Sequence, residues 1–281
     1  MPKARSVRVA VLDMNKGTKN LGIPSILGIL DEASTERQMP RLDYRVFDVR
    51  VKGEIPDLGF DIFISSGGPG SPFAGRGKRW EANYFRWLDD LWSFNQSAEQ
   101  PKHGLFICHS FEMMCHFFRF SEVSRRKSPS FGIYPVHMED SGRTDPLFEN
   151  LENPFWGADF RRWQVINPDA VRMAELDARI LAREKIRPHV PLERALMAVR
   201  VGTGLVGVQF HPEAAPDGMR RHFKSRERQE SVIQEHGAEK YEKMLLLLNE
   251  PSPLEATRRL VIPNFLNRAV GASVLDQQQV Y

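Results

Sequence analysis

Cysteine is nearly absent: Cys108 and Cys115 are the two in 281 residues, too few for a disulfide framework and wrongly spaced for a zinc site. Such usage fits a reducing compartment, and no metal is expected. Long apolar runs are missing too. The strand-like run at residues 7–12, which follows a short basic N-terminus, is far below the length of a signal-peptide core or a membrane span. Nor does one sign of charge dominate, because 39 basic and 36 acidic residues interleave to a formal net charge of +3. That balance supplies no long-range field of the kind nucleic acid attracts. These absences leave a soluble cytoplasmic protein with no nucleic-acid or membrane partner as the expectation.

What is present alternates. The compact apolar run at residues 7–12 reads as a strand buried on both faces, residues 44–49, 61–65 and 104–107 read as further strands, and between them lie segments with helical spacing. In residues 80–94, Trp80, Tyr84, Trp87, Leu88, Leu91 and Trp92 recur at intervals that build one aromatic helix face, read here as core. Residues 131–138 and 162–166 predict antiparallel edge strands. Residues 195–201 and 205–210 predict a strand pair turning at Gly202-Thr203-Gly204. Beyond residue 220 the chain favours helix, interrupted by Pro251 and Pro253. The expected fold class is α/β: an open, mostly parallel sheet with helices on both faces, plus a C-terminal helical tail. The predicted division is 1–218 for the main domain and 219–281 for a helical extension, packed on it or used for partner contact.

Three strand ends carry chemistry-bearing residues: Gly67 to Gly70, Cys108, and His211 with Glu213. In parallel α/β sheets sites gather at the carboxyl ends of strands, so these three are expected to converge. A cysteine at a strand-to-helix turn sits at the positive end of the helix dipole, and an adjacent imidazole adds to the same effect, so a depressed thiol pKa is expected for Cys108. Glu213, two residues beyond His211, can accept from one imidazole nitrogen and leave the other for sulfur.

The segments SSGGPGSP (65–72), FICHSFE (106–112) and VGVQFHPEA (206–214) together resemble the class I glutamine amidotransferase family, over roughly residues 7–214. With FGIYPV and DPLF between them, the pattern is similar to the GMP-synthase-like, stand-alone glutaminase domains, and it implies a flavodoxin-like class I amidotransferase fold. The resemblance implies a Cys108–His211–Glu213 triad and an oxyanion hole made by the backbone N–H groups of Gly68 and His109. It also implies substrate contacts from Gly70, Glu112, Gly132 and Ile133. Implied with these are no cofactor, glutamine or another γ-glutamyl compound as substrate, and a separate ammonia-accepting synthetase as partner; homo-oligomerisation stays open.

Several positions depart from the family pattern. Phe106 and Ser110 stand where elbows carry small residues, so Phe106 is expected to obstruct the turn. Glu112 replaces a glutamine, and residues 160–165 lack the subgroup's histidine-containing strand; of Arg161 and Arg162, one is expected to be a surface charge and the other a carboxylate clamp. The competing expectations are a hydrolase of γ-glutamyl compounds and a catalytically silent scaffold that binds partners through its tail.

Overall fold

The computed structural model describes residues 6–35, 39–189, 191–249 and 251–275. Its elements in chain order are β1 (Val7–Asp13), α1 (Gly22–Thr35), β2 (Leu42–Asp48), β3 (Ile62–Ser65), α2 (Arg79–Ser97), β4 (His103–Ile107) and α3 (His109–Phe118). There follow β5 (Glu122–Met138), α4 (Asp140–Arg143), β6 (Phe155–Ile166), α5 (Ala170–Glu175), β7 (Ala178–Glu184), β8 (Leu196–Val201) and β9 (Leu205–Val208). Four helices close the described chain: α6 (Pro216–Lys224), α7 (Arg226–His236), α8 (Ala238–Leu247) and α9 (Leu254–Leu275).

One nine-stranded sheet runs in the order β2-β1-β3-β4-β9-β8-β7-β5-β6. The strands from β2 to β9 in this order pair in parallel, and β8, β7, β5 and β6 continue the sheet antiparallel. The division follows from connection type: parallel neighbours need crossovers, here carried by helices such as α1 between β1 and β2 and α2 between β3 and β4, whereas β8 and β9 join through a tight turn at Gly202, φ 56°. The expected antiparallel strands are present as β5 and β6, both longer than the sequence indicated; β6 lies at the edge of the sheet, whereas β5 is paired on both sides.

Side-chain alternation along the central strands splits the core into two layers. Val9, Val11, Ile62, Ile64, Leu105 and Ile107 face α1 and α9, burying Ile26, Ile29, Val261, Phe265 and Leu266. Ala10, Leu12, Phe63 and Phe106 face the other way, onto Tyr84, Trp87 and Leu91 of α2 and Phe111 and Met114 of α3. Helices therefore cover both faces, and the aromatic stripe of α2 is core, as expected. Smaller and separate, a third cluster packs Met219, Val232, Tyr241 and Met244 of α6–α8 against Phe131 and Ile133 of β5. Of the predicted extension 219–281, residues 250 and 276–281 lie outside the described residues; the described remainder is helical apart from short connections. No helix among the described residues is long and apolar enough to cross a membrane.

Candidate active site

Strand β4 is buried along its whole length and stops at Ile107; Cys108 follows at φ 50° and ψ −101°, and α3 starts at His109. A non-glycine residue holds such a conformation only where its surroundings fix it. Here Cys108 N–H donates to Val208 O at 2.8 Å, and Cys108 O accepts from Glu112 N–H at 3.0 Å as the first bond of α3. The turn delivers the thiol to the carboxyl edge of the sheet. Phe106 does not obstruct it. Strand alternation sends the Phe106 ring to the opposite layer from Ile107, where it lies 6.3 Å from Trp87 and is fully buried. Ser110 is the small residue the turn requires. Its hydroxyl donates to Ser66 O at 2.6 Å and meets Ser65 Oγ at 2.8 Å, and Ser65 Oγ in turn meets the Tyr84 hydroxyl at 2.9 Å. This chain of hydroxyls fixes the elbow to the loop after β3.

His211 follows β9 and is tied to β6 by its N–H, which donates to Ala158 O at 2.9 Å. Its Nδ1 lies 2.8 Å from Glu213 Oε1, and the imidazole and the Cys108 sulfur interact electrostatically. With Nδ1 committed to the carboxylate, Nε2 is the nitrogen left for sulfur. All three predicted residues therefore meet. Their protonation differs from the expectation at one point: burial pushes the Cys108 thiol up, and the electrostatic interaction with His211 only partly offsets this. Desolvation of a thiolate outweighs the helix dipole in so enclosed a place. Burial also disfavours charge on His211, yet the Glu213 carboxylate and the sulfur together hold the imidazole well above its ordinary range.

The loop after β3 passes over the same edge. A Cβ on Gly67 would lie 2.7 Å from His211 Cε1, and one on Gly68 would lie 2.2 Å from the Met14 carbonyl oxygen, so both positions exclude any side chain. Ser66 anchors the loop, accepting from Met14 N–H at 3.0 Å and donating to Gly67 O at 2.9 Å. Gly70, at φ 94°, is exposed.

Beneath the thiol lies a polar layer. Gln209 Nε2 donates to Glu112 Oε1 at 3.0 Å and reaches Cys108 Sγ at 3.8 Å. Glu112 is buried, and desolvation raises its pKa to about 7 against the opposing Gln209 hydrogen bond and Arg161 charge. Arg161 is the buried member of the arginine pair: its Nε donates to both oxygens of Asp159, at 2.9 and 3.1 Å, while its Nη1 is buried without a hydrogen-bond partner. Arg162 is the surface charge, paired with Glu235.

A stability prediction follows from Glu112. Because its folded-state pKa is raised, the folded protein holds this proton more tightly than the unfolded chain. The contribution is present below about pH 4.5 and is lost as pH rises through about 7. A rise of this size corresponds to about 3 kcal/mol at most. Glu112→Gln removes this dependence, so the variant gains stability relative to the native chain as pH rises. Urea midpoints at pH 5 and pH 8 check it: the difference between the two proteins should grow in the variant's favour at pH 8. An equal difference at both pH values contradicts it.

Cys108, His211, Glu213, Gly67 and Gly68 open on a cleft of about 350 Å³. Its walls come from the loop between β1 and α1, including Asn15, Asn20 and Leu21, from Phe160 on β6, and from Met219, His222 and Phe223 on α6. Gly132 and Ile133 are not in this lining; they pair with Asp159 and Ala158 on β6, and Ile133 is buried in the third cluster. Sequence reasoning missed Ser65, Ser66, Tyr84, Gln209 and the α6 wall. Only the doubled serine before the glycines gave a local signal. Among the described residues no group of histidine, cysteine and carboxylate side chains is placed to hold a metal.

No protein-family model and no curated protein matches the sequence. Solved structures do. A glutamine amidotransferase from Thermotoga maritima aligns with a TM-score of 0.69 at 17% identity, over 95% of this chain and 99% of its own. A GMP-synthase-like protein from Thermoplasma acidophilum aligns with a TM-score of 0.59 at 14% identity, over 97% and 98%. The glutaminase domain of a Trypanosoma brucei CTPS, solved with bound acivicin, aligns with a TM-score of 0.55 at 17% identity, over 74% and 86%. The chain has the class I glutamine amidotransferase fold.

Proposed function

We propose that this chain, on its class I glutamine amidotransferase fold, hydrolyses a side-chain amide of glutamine type through a thioester on Cys108. The observation that carries the reading is the meeting of a cysteine elbow with a His211–Glu213 pair at 2.8 Å on the carboxyl edge of the sheet. His211 Nε2 takes the thiol proton as sulfur bonds to the amide carbon. The same proton passes to the amide nitrogen as the C–N bond breaks and ammonia leaves. Water, deprotonated by His211, then cleaves the thioester to release the carboxylate. The pair shares one proton, and the raised proton affinity of His211 favours its transfer from sulfur, so the imidazolium formed during attack holds the proton that the departing nitrogen receives. Gly68 N–H and His109 N–H, the latter without an intrahelical acceptor at the start of α3, would hold the oxyanion. Time courses of ammonia and glutamate from L-glutamine test the proposal, and equimolar release above the buffer rate is the expected outcome. Ammonia without glutamate, or neither, would sink it.

Gly68→Ala probes the oxyanion assignment separately. With the Met14 oxygen 2.2 Å from the new Cβ, the loop must shift and carry the Gly68 N–H away. Loss of one such donor lowers kcat by roughly 100- to 1,000-fold. A variant within threefold of the native kcat would remove Gly68 from the oxyanion hole.

A second reading, γ-glutamyl amides with an apolar amine portion, draws on the cleft itself. Phe160, Met219 and Phe223 make an apolar wall beside Cys108. A higher kcat/KM for a γ-glutamyl anilide than for glutamine would favour it. Where ammonia is the product, a separate synthetase is the partner we assign, in keeping with the glutaminase domain of CTPS among the structural neighbours.

A further inference from the structure

A second cavity, of about 380 Å³, is lined by Arg50, Lys52, Arg79, Trp80 and Asn83, together with Val51 and Gly53, and Arg50 ties it to the glycine loop. Three cations line it and no carboxylate does. Among the described residues none of the three forms an ion pair. The carboxylates closest in sequence are occupied: Asp48 accepts from Val51 N–H at 3.0 Å, Glu54 accepts from Asp48 N–H at 2.9 Å, and Glu81 is buried against Gly75 beside Arg76. Arg79 opens α2, a helix of 19 residues whose N-cap, Lys78, makes no side-chain cap, so the free N–H groups of its first turn add to the positive potential. Arg50 Nε is buried with no partner, and burial alone lowers the pKa of this guanidinium. An anion in the cavity would supply the counter-charge that these three cations lack among the described residues.

We propose that this cavity is a binding site for a phosphate group, linked through Arg50 to the loop that holds Gly68. Phosphate fits because it accepts from several donors at once, and Arg50, Lys52, Arg79 and Asn83 are all among the residues that line the cavity. The link is a direct contact: Arg50 Nη1 donates to Pro69 O at 2.8 Å and to Met14 O at 3.1 Å, while its guanidinium lies 5.3 Å from the Trp80 ring. Met14 O is the oxygen that Gly68 packs against, so a phosphate that redirects Arg50 acts on both sides of the glycine loop. The binding stands apart from the proposed amide hydrolysis; the link rests on the reading of Gly68 as an oxyanion donor.

Calorimetric titration of the native protein with inorganic phosphate and with AMP, at constant ionic strength set by chloride, tests the binding without any need for turnover. Saturable binding is expected for at least one ligand, weakened roughly tenfold or more for each cation removed in Lys52→Ala and Arg79→Ala. Both residues are exposed, so the variants are expected to fold. AMP binding tenfold tighter than phosphate would identify a phosphate ester as the ligand, and equal affinities would identify free phosphate. No saturable heat with either ligand, or unchanged affinity in both variants, overturns the site. The link is read from the rate at which iodoacetamide alkylates Cys108. Saturating ligand should change that rate in the native protein and leave it unchanged in the Lys52→Ala/Arg79→Ala double variant. An unchanged rate in the native protein at proven saturation overturns the link.

Discussion

Cys108→Ser is expected to reduce amide hydrolysis by at least about 10,000-fold while leaving the fold intact. Removing the nucleophile of a triad leaves only what oxyanion donors and binding contribute, and losses near a millionfold are known for such groups. Serine keeps nearly the size of cysteine, and the backbone bonds of the elbow, Cys108 N–H to Val208 O and Glu112 N–H to Cys108 O, do not involve the side chain. The φ of 50° is thus retained at equal backbone cost. What changes is the nucleophile: a hydroxyl is far harder to deprotonate than a thiol, and a site whose burial already disfavours an anion on sulfur disfavours one on oxygen more. Initial rates measured alongside circular dichroism check this. A folded Cys108→Ser protein retaining a tenth of the native rate would mean that the chemistry runs elsewhere.

Glu213→Gln is expected to lower kcat by roughly 1,000- to 10,000-fold, with little effect on KM. A carboxylate at 2.8 Å from Nδ1 does two things: it keeps the proton on that nitrogen, so Nε2 is free to accept from sulfur, and it stabilises the imidazolium formed when it does. The amide of glutamine can donate to Nδ1 and place the ring proton on Nε2, the wrong tautomer for a base; a comparable change in a serine protease triad has an effect of about 10,000-fold. Glu213 is buried, and its second oxygen has no hydrogen-bond partner among the described residues, so no other group holds the carboxylate to a competing task. Because Glu213 also supports the raised pKa of His211, the pH profile should change along with the rate. A variant with native kcat would reduce Glu213 to packing.

The parts of the site that can be read in the sequence are those where chemistry and strand ends coincide. Parallel strands buried on both faces give unbroken apolar runs, so the ends of β3, β4 and β9 stand out, and the residues just past them are Ser66 and Gly67, Cys108, and Gln209 to His211. The same logic fails for β5 and β6. They carry Arg125, Arg126, Lys127, Arg161 and Arg162, and their pairing depends on partners such as Glu184 on β7 and Asp159. Phe106 misleads because its neighbours in sequence are not its surroundings; a period of two assigns it to the α2 layer once the faces are known. The thiol pKa misleads because the helix dipole can be read from a strand-to-helix turn, whereas complete burial beside Glu112 and Gln209 cannot. For the same reason, the α6 wall of the cleft is visible only after folding, being built from residues that read as an ordinary charged helix.

Turnover is expected to pass through a covalent thioester at Cys108. Rapid acid quench of the native protein during turnover, followed by mass spectrometry of the intact chain and its peptides, should trap a fraction of the chain heavier by one acyl group of the substrate, located on the peptide containing Cys108 and absent from Cys108→Ser. Turnover with no adduct on that peptide, at a quench fast enough to catch a covalent species formed before the slow step, would contradict it.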